Sequence, residues 1–169
     1  VSRVGIVVGN PKPQSRTLDV ARAVARAAAD AVGLSETAVE IDLVDLATDL
    51  FDGSSAAVRH AVEAISNTTL LVVASPTYKA SYTGLLKSFL DWFSTTGLDG
   101  VTVVPVMIGA TPAHALAVEV HLRPVLVEIG GSVPTRGLFV TEDQIPRLSS
   151  VIDAWLVGAT PLLRASIGR

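Results

Sequence analysis

A doubly wound α/β sandwich around one parallel sheet is the fold this sequence predicts, and three observations predict it. Short, almost wholly apolar runs alternate with segments of helical periodicity along the whole chain. Every connection between successive apolar runs is long enough for a parallel crossover. The chain has 169 residues, 49% of them hydrophobic and only 17% charged, which is enough apolar material to cover a sheet on both faces.

The first run, Val4–Val8, is short, apolar and β-branched, as a central parallel strand buried on both sides requires. From Arg16, residues Val20, Val24, Ala27, Ala28 and Ala31 recur at helical spacing, with Arg22, Arg26 and Asp30 placed to face water and Gly33 able to end the helix. Residues 39–45 set Val39, Ile41 and Leu43 against Glu40, Asp42 and Val44, the alternation of a strand with one less buried face, at a sheet edge. A helix over 56–66 carries Arg59, His60 and Glu63, and 70–74 is the next buried strand. In SPTYKASYTGLLKSFLD, residues 75–91, a loop feeds a helix in which Leu85, Leu86, Phe89, Leu90 and Phe93 recur three and four apart. Residues 102–108 form a fourth strand, where Pro105 predicts a bulge or an unpaired N–H. Residues 113–129 read as helix, and Pro124 inside it denies Val120 its carbonyl partner and predicts a kink before Gly130-Gly131 stops it. A strand at 137–140 precedes a last amphipathic helix marked by Leu148, Val151, Ile152, Trp155 and Leu156.

No internal repeat, low-complexity tract or linker interrupts this order, so residues 1–169 are expected to form a single domain. The net charge of −3, with no run of like charges, argues against nucleic acid or an acidic membrane as the main partner. With no cysteine there are no disulfides, thiol nucleophiles or Cys-ligated metals, and His60, His114 and His121 make no recognisable metal spacing. No targeting segment opens the sequence and no apolar run approaches the ~18 residues of a membrane span, so a cytoplasmic protein is expected. The apolar surplus points to a subunit interface.

In five-stranded sheets of this kind the common strand order is 2-1-3-4-5, and ligands bind beyond the carboxyl ends at the switch between strands one and three. Segments 9–17, 75–84 and 109–114 fall at that edge and are expected to share one site. The first, GNPKPQSRT, links strand to helix. Unpaired N–H groups and the positive end of the macrodipole favour an anion there. Ser15 and Thr17 add hydroxyl donors, Lys12 and Arg16 add charge, and Pro11 and Pro13 restrict the loop. The alternative is that Ser15 is only an N-cap. Neither G-x-x-x-x-G-K-[ST] nor G-x-G-x-x-G is present.

In the second segment, Pro76, Thr77, Tyr78, Lys79 and Ser81 offer backbone polar groups, a ring, a cation and a hydroxyl suited to the edge of a planar heterocycle. The bland alternative is a strand-breaking proline, a Tyr78 that caps the core and a solvated lysine. In the third, Gly109 lets a backbone approach a flat ligand closely. His114 is open to either a ligand contact or a structural place.

These three segments, GNPKPQSRT, SPTYKASYTGLLKSFLD and PVMIGATPAHALAVEVHLRPVL, resemble in order and spacing the NADPH-dependent FMN reductase family of flavodoxin-like fold. The likeness is strongest to flavin reductases that supply two-component monooxygenases, including those of sulfonate desulfurisation. The resemblance implies hydride transfer from NADPH, or NADH, to FMN, with reduced flavin passed to a partner monooxygenase. It implies that Ser15, Arg16 and Thr17 hold the FMN phosphate, with Asn10 and Lys12 as further cofactor-binding residues of the same loop. Pro76, Thr77, Tyr78, Lys79 and Ser81 would line the isoalloxazine, and Gly109 and Thr111 would support it. No catalytic acid or base is implied, since flavin and nicotinamide carry the chemistry. A homodimer or homotetramer is the implied assembly. Asn10 stands where serine is usual, Ala110 where a second glycine is frequent, and Val120 where sulfonate-pathway relatives can carry tyrosine. Two alternatives share the fold: an FMN-retaining quinone, azo or metal-oxyanion reductase, and a non-enzymatic carrier of the flavodoxin type. Only eight aromatic residues are available to clamp a flavin, which favours the supplier over the flavin-retaining reductase, and a net charge of −3 sets the chain apart from the usually much more acidic carriers.

Overall fold

The computed structural model describes residues 3–34 and 37–168. Five parallel strands form one sheet in the order β2-β1-β3-β4-β5: β1 (Val4–Val8), β2 (Thr37–Asp42), β3 (Leu70–Pro76), β4 (Thr102–Gly109) and β5 (Leu138–Thr141). The helices are α1 (Arg16–Val32), α2 (Ala56–Ser66), α3 (Gly84–Leu90), α4 (Arg123–Glu128) and α5 (Leu148–Ile167). This is the flavodoxin-like doubly wound arrangement.

Every residue of β1, β3 and β4 is buried, because helices cover both faces. Side chains alternate between the two layers. Val4, Ile6 and Val8 pack with Leu70, Val72, Ala74, Val104 and Val106 under α1 and α5, while Val7, Leu71, Val73, Val103 and Met107 pack under α2, α3 and the 118–128 segment. Helix α1 presents Leu18, Val20, Ala21, Val24, Ala25 and Ala28 to the first layer. It starts at Ser15, whose hydroxyl accepts from Leu18 N, and ends at Gly33, whose φ of 73° lies in the left-handed region.

Three local features differ from the sequence expectation, and at Pro105 the second of its two alternatives holds. The second strand stops at Asp42, and Leu43–Leu46 close into a 3₁₀ turn that brings Leu43 into the second core layer. Pro105 causes no bulge against β3, where it pairs with Val73 in unbroken register. Val103, two residues earlier and facing the same side, donates its N–H to Ser132 O at 2.7 Å, and pairing with β5 starts only at Val106. The missing N–H of Pro105 therefore falls in the gap between those two partners.

The expected helix over 113–129 is three pieces: a 3₁₀ turn Pro112–His114, a π-helical turn Val118–Leu122, and α4 with Pro124 in its first turn. The wider turn accommodates a residue that cannot donate to Val120, which replaces the expected simple kink. The fifth strand is shifted by one residue, and the 3₁₀ segment Glu142–Arg147 joins it to α5.

Candidate functional site

All five strands run in the same direction, so their carboxyl ends share one edge. There the loops after β1, β3 and β4 meet around a cleft of about 470 Å³. Its walls include Asn10, Lys12, Ser15, Arg16 and Thr17 from the first loop, Pro76, Thr77 and Tyr78 from the second, and Gly109 and Ala110 from the third.

The first loop is held by its own side chains. Asn10 is buried; its Nδ2 donates to Thr17 Oγ1 at 2.9 Å and its Oδ1 accepts from Lys12 N at 3.0 Å. Asparagine therefore folds the loop back onto the start of α1, with Thr17 serving as acceptor and keeping its own hydroxyl proton to donate. Gln14 has a φ of 48°, a left-handed conformation uncommon for a residue with a side chain. Behind the loop Asp42 closes β2 with a buried Oδ1 that lacks a partner among the described residues. Burial lifts the Asp42 carboxyl above the usual carboxylate range and the charge of Asp45 adds to this, against the N–H groups of Val44 and Gln14. Ser15 takes the Leu18 N–H, and the two N–H groups before it, of Arg16 and Thr17, have no intrahelical acceptor and belong to residues of the cleft wall, beside Lys12.

The loops interlock underneath the cleft. Gly9 N donates to Ala74 O at 2.8 Å, and Thr83 Oγ1 donates to Gly9 O at 2.6 Å while capping α3 by accepting from Leu86 N. Thr77 N donates to Ile108 O at 2.7 Å, stitching the second loop to the end of β4. Thr77 Oγ1 is buried and has no partner among the described residues, although Thr77 lines the cleft. A Cβ on Gly109 would stand 2.6 Å from Phe139 Cζ and 3.4 Å from that hydroxyl, so the packing of Phe139 against this wall requires glycine.

Three expected site residues are not in the lining. Lys79 and Ser81 belong to a tight turn in which Tyr78 N donates to Ser81 O at 2.8 Å and Ser81 N donates back at 3.1 Å. Its central residues Lys79 and Ala80 have φ values of 52° and 64°, the type I′ pattern of a tight two-residue turn, and Tyr78 at its start is 45% exposed. Thr111 is exposed and its Oγ1 accepts from Ala113 N at 3.4 Å, starting the turn that carries the exposed His114.

Conversely, Gln14, Ile108 and Glu142 line the cleft without having been singled out by sequence. Glu142 comes from a fourth loop, after β5, and its Oε1 accepts from Arg16 Nη2 at 3.1 Å. Its only signal in the sequence is its place just beyond the carboxyl end of a strand.

A cleft to which one loop brings helix N–H groups and two cations, and another a proline-stiffened backbone with a free hydroxyl, suits a ligand that joins an anion to a flat polar ring. Comparison with known proteins agrees. Residues 2–145 match the model of the family described as NADPH-dependent FMN reductase. A protein named FMN reductase (NADPH) from Escherichia coli is 38% identical over 101 residues, covering 60% of this chain and 52% of that protein. NADH-dependent FMN reductase SfnF from Pseudomonas putida is 37% identical over 90 residues, covering 53% and 48%. The chain thus spans about half the length of the curated relatives it matches. Among solved structures, the apo form of NADH:FMN oxidoreductase EMOB superposes with a TM-score of 0.78 at 31% identity, covering 93% of this chain and 89% of that one. An oxidoreductase from Corynebacterium diphtheriae superposes with a TM-score of 0.81 at 27% identity, covering 99% and 97%. With the fold, the cleft and a family match over most of its length in agreement, the chain belongs to the NADPH-dependent FMN reductase family.

Proposed function

We propose that this chain is an NAD(P)H-dependent FMN reductase that supplies reduced flavin to a partner monooxygenase. The convergence of the three loops on one cleft carries this reading, with cations and helix N–H groups coming from the first loop and a proline-stiffened backbone from the second. The residues present fit FMN: α1 supplies N–H donors, Lys12 and Arg16 supply charge, and Thr77 supplies a buried hydroxyl in need of a partner. Bound FMN would supply the hydride-accepting ring. Ser15, Arg16 and Thr17 hold the phosphate, with Asn10 setting Thr17 in place. Pro76, Thr77 and Tyr78 hold the ring edge through a backbone fixed to β4, and Gly109 leaves room for close approach. Lys79, Ser81 and Thr111 act from beyond the lining, the first two by shaping the turn that sets Tyr78. The protein's part is to orient and stack, with no side chain required to move a proton.

The relatives carry both NADPH and NADH in their names, so either nicotinamide belongs to the proposal. It extends to one domain over 1–169, a cytoplasmic setting, and a homodimer or homotetramer. Exposed Phe51, Leu116, Val120, Val127, Val157 and Leu162 support the assembly. Among the described residues no helix is long and apolar enough to cross a membrane.

The test is anaerobic NADPH and NADH oxidation by desalted protein, with and without FMN, alongside its absorbance spectrum as purified. Activity that needs added FMN, from a nearly colourless protein, is expected. A yellow protein that oxidises NADPH without added flavin would instead make it a flavin-retaining reductase. No oxidation and no flavin binding would reject the enzyme.

A further inference from the structure

The cleft holds one charge that a phosphate site does not call for. Glu142 opens the 3₁₀ segment after β5, where the N-cap Thr141 is buried and its N–H donates to Gln144 Oε1 at 3.0 Å, so the backbone that carries Glu142 is fixed. The neighbouring carboxylate, Asp143, turns to Arg147 at 3.7 Å, whereas Glu142 turns into the cleft and meets Arg16 Nη2 at 3.1 Å. The two residues are 126 positions apart in sequence, and Arg16 is the first residue of α1, the helix whose N-terminus faces the anion site.

The side chains of the pair are 65% and 48% exposed, which makes it a weak, exchangeable contact. A dianionic phosphate arriving at Ser15 and Thr17 must share Arg16 with a carboxylate already bonded to it. That carboxylate also contributes a like charge to the wall of the same cleft.

Resting on the reading of the cleft as an FMN site, we propose that Glu142 is an affinity-setting residue that competes with the flavin phosphate for Arg16 and keeps FMN exchangeable. The competition acts on the phosphate end alone and leaves the ring contacts of Pro76, Thr77 and Tyr78 untouched. A flavin supplier needs such a device, because its product must leave the cleft.

The test compares wild type and Glu142→Gln in titrations with FMN and with riboflavin, which carries the same ring without the phosphate. The Kd for FMN is expected to fall about two- to fivefold, as the loss of one exposed competing charge allows. The riboflavin Kd should move less than twofold, and the FMN gain should shrink at ~0.5 M salt, where charges are screened over a few ångströms. Stopped-flow FMN release should slow in parallel. In an Arg16→Gln background the gain from Glu142→Gln should vanish. Unchanged or weaker FMN binding in Glu142→Gln, equal tightening of riboflavin, or a gain that persists without Arg16 would each overturn the proposal while leaving the flavin site standing. A wild-type chain that binds neither flavin would overturn both.

Discussion

Replacing Gly9 by alanine tests why the phosphate loop departs from β1 at a glycine. An added Cβ would stand 2.5 Å from Leu86 Cβ, 3.1 Å from Thr83 Oγ1 and 3.3 Å from Leu86 Cγ. Carbon atoms in good contact sit at roughly 3.5–4.0 Å, so about 1 Å must be found between loop and helix. Leu86 Cβ is anchored to the backbone of α3 and the side chain is fully buried, so no rotamer change relieves the clash. The first turn of α3 must retreat, which stretches the 2.6 Å bond from Thr83 Oγ1 to Gly9 O, or β1 must shift and strain the 2.8 Å bond from Gly9 N to Ala74 O. Overpacking costs about 1–3 kcal/mol and a weakened buried hydrogen bond adds about 1 kcal/mol, giving a loss of about 2–4 kcal/mol. Thermal unfolding should then move down by roughly 4–16 °C in a chain of this size. Urea denaturation of the two proteins measures the loss directly, and FMN titration should show weaker binding, since Thr77 and Tyr78 ride on the loop that ends at Thr83. A loss below about 0.5 kcal/mol with unchanged FMN binding would refute the argument, because it would mean that the close approach of α3 to the loop is not what requires glycine.

Ala80→Gly should stabilise the chain by about 0.5–1 kcal/mol in urea denaturation, because φ at Ala80 is 64° and the relief of left-handed strain exceeds the added freedom of the unfolded chain. Thr17→Val removes the acceptor of the buried Asn10 amide and should cost about 1–3 kcal/mol of stability and weaken FMN, whereas Thr17→Ser should keep most of both. Arg123 holds the Glu119 carboxyl below the usual carboxylate range, with the Gly137 N–H and the Arg136 charge adding to it against burial. A carboxyl lowered in the folded state binds fewer protons there than in the unfolded chain. Its stabilisation is therefore complete above the ordinary value of ~4.3 and is lost as pH falls through the lower folded value. Glu119→Gln should lower stability at pH 7 by about 1–3 kcal/mol and flatten the acid limb of a stability–pH curve; an unchanged acid limb would show that the Glu119–Arg123 clasp does not govern it.

Apolar periodicity was enough to place the five strands and most of the helices. Burial on both faces leaves a run such as Val4–Val8 no polar position, and α1 shows its stripe at Val20, Val24 and Ala28. Its limits fell where a residue's partner is distant. Leu43 looks like one more strand residue until the 3₁₀ turn is seen to carry it into the core under α2 and α3. Pro124 predicts a disturbed helix, but whether it bends or widens depends on what the turn packs against. Non-glycine residues at Lys79 and Ala80 conceal a turn that sequence preferences assign to Asn-Gly.

The parallel strands, whose common direction puts the three loops at one edge, and the residue types that suit a phosphate and a ring are legible in the chain alone, because they follow from local burial and from the length of the crossovers. Tertiary structure alone decided how those residues are used. Asn10 serves Thr17, Gly9 makes room for Leu86, and Glu142 crosses from the far loop to hold Arg16. The physical reason is that periodicity records which face of an element is dry, whereas a side chain's partner across a cleft is fixed by sheet twist and helix packing, which only the assembled chain possesses.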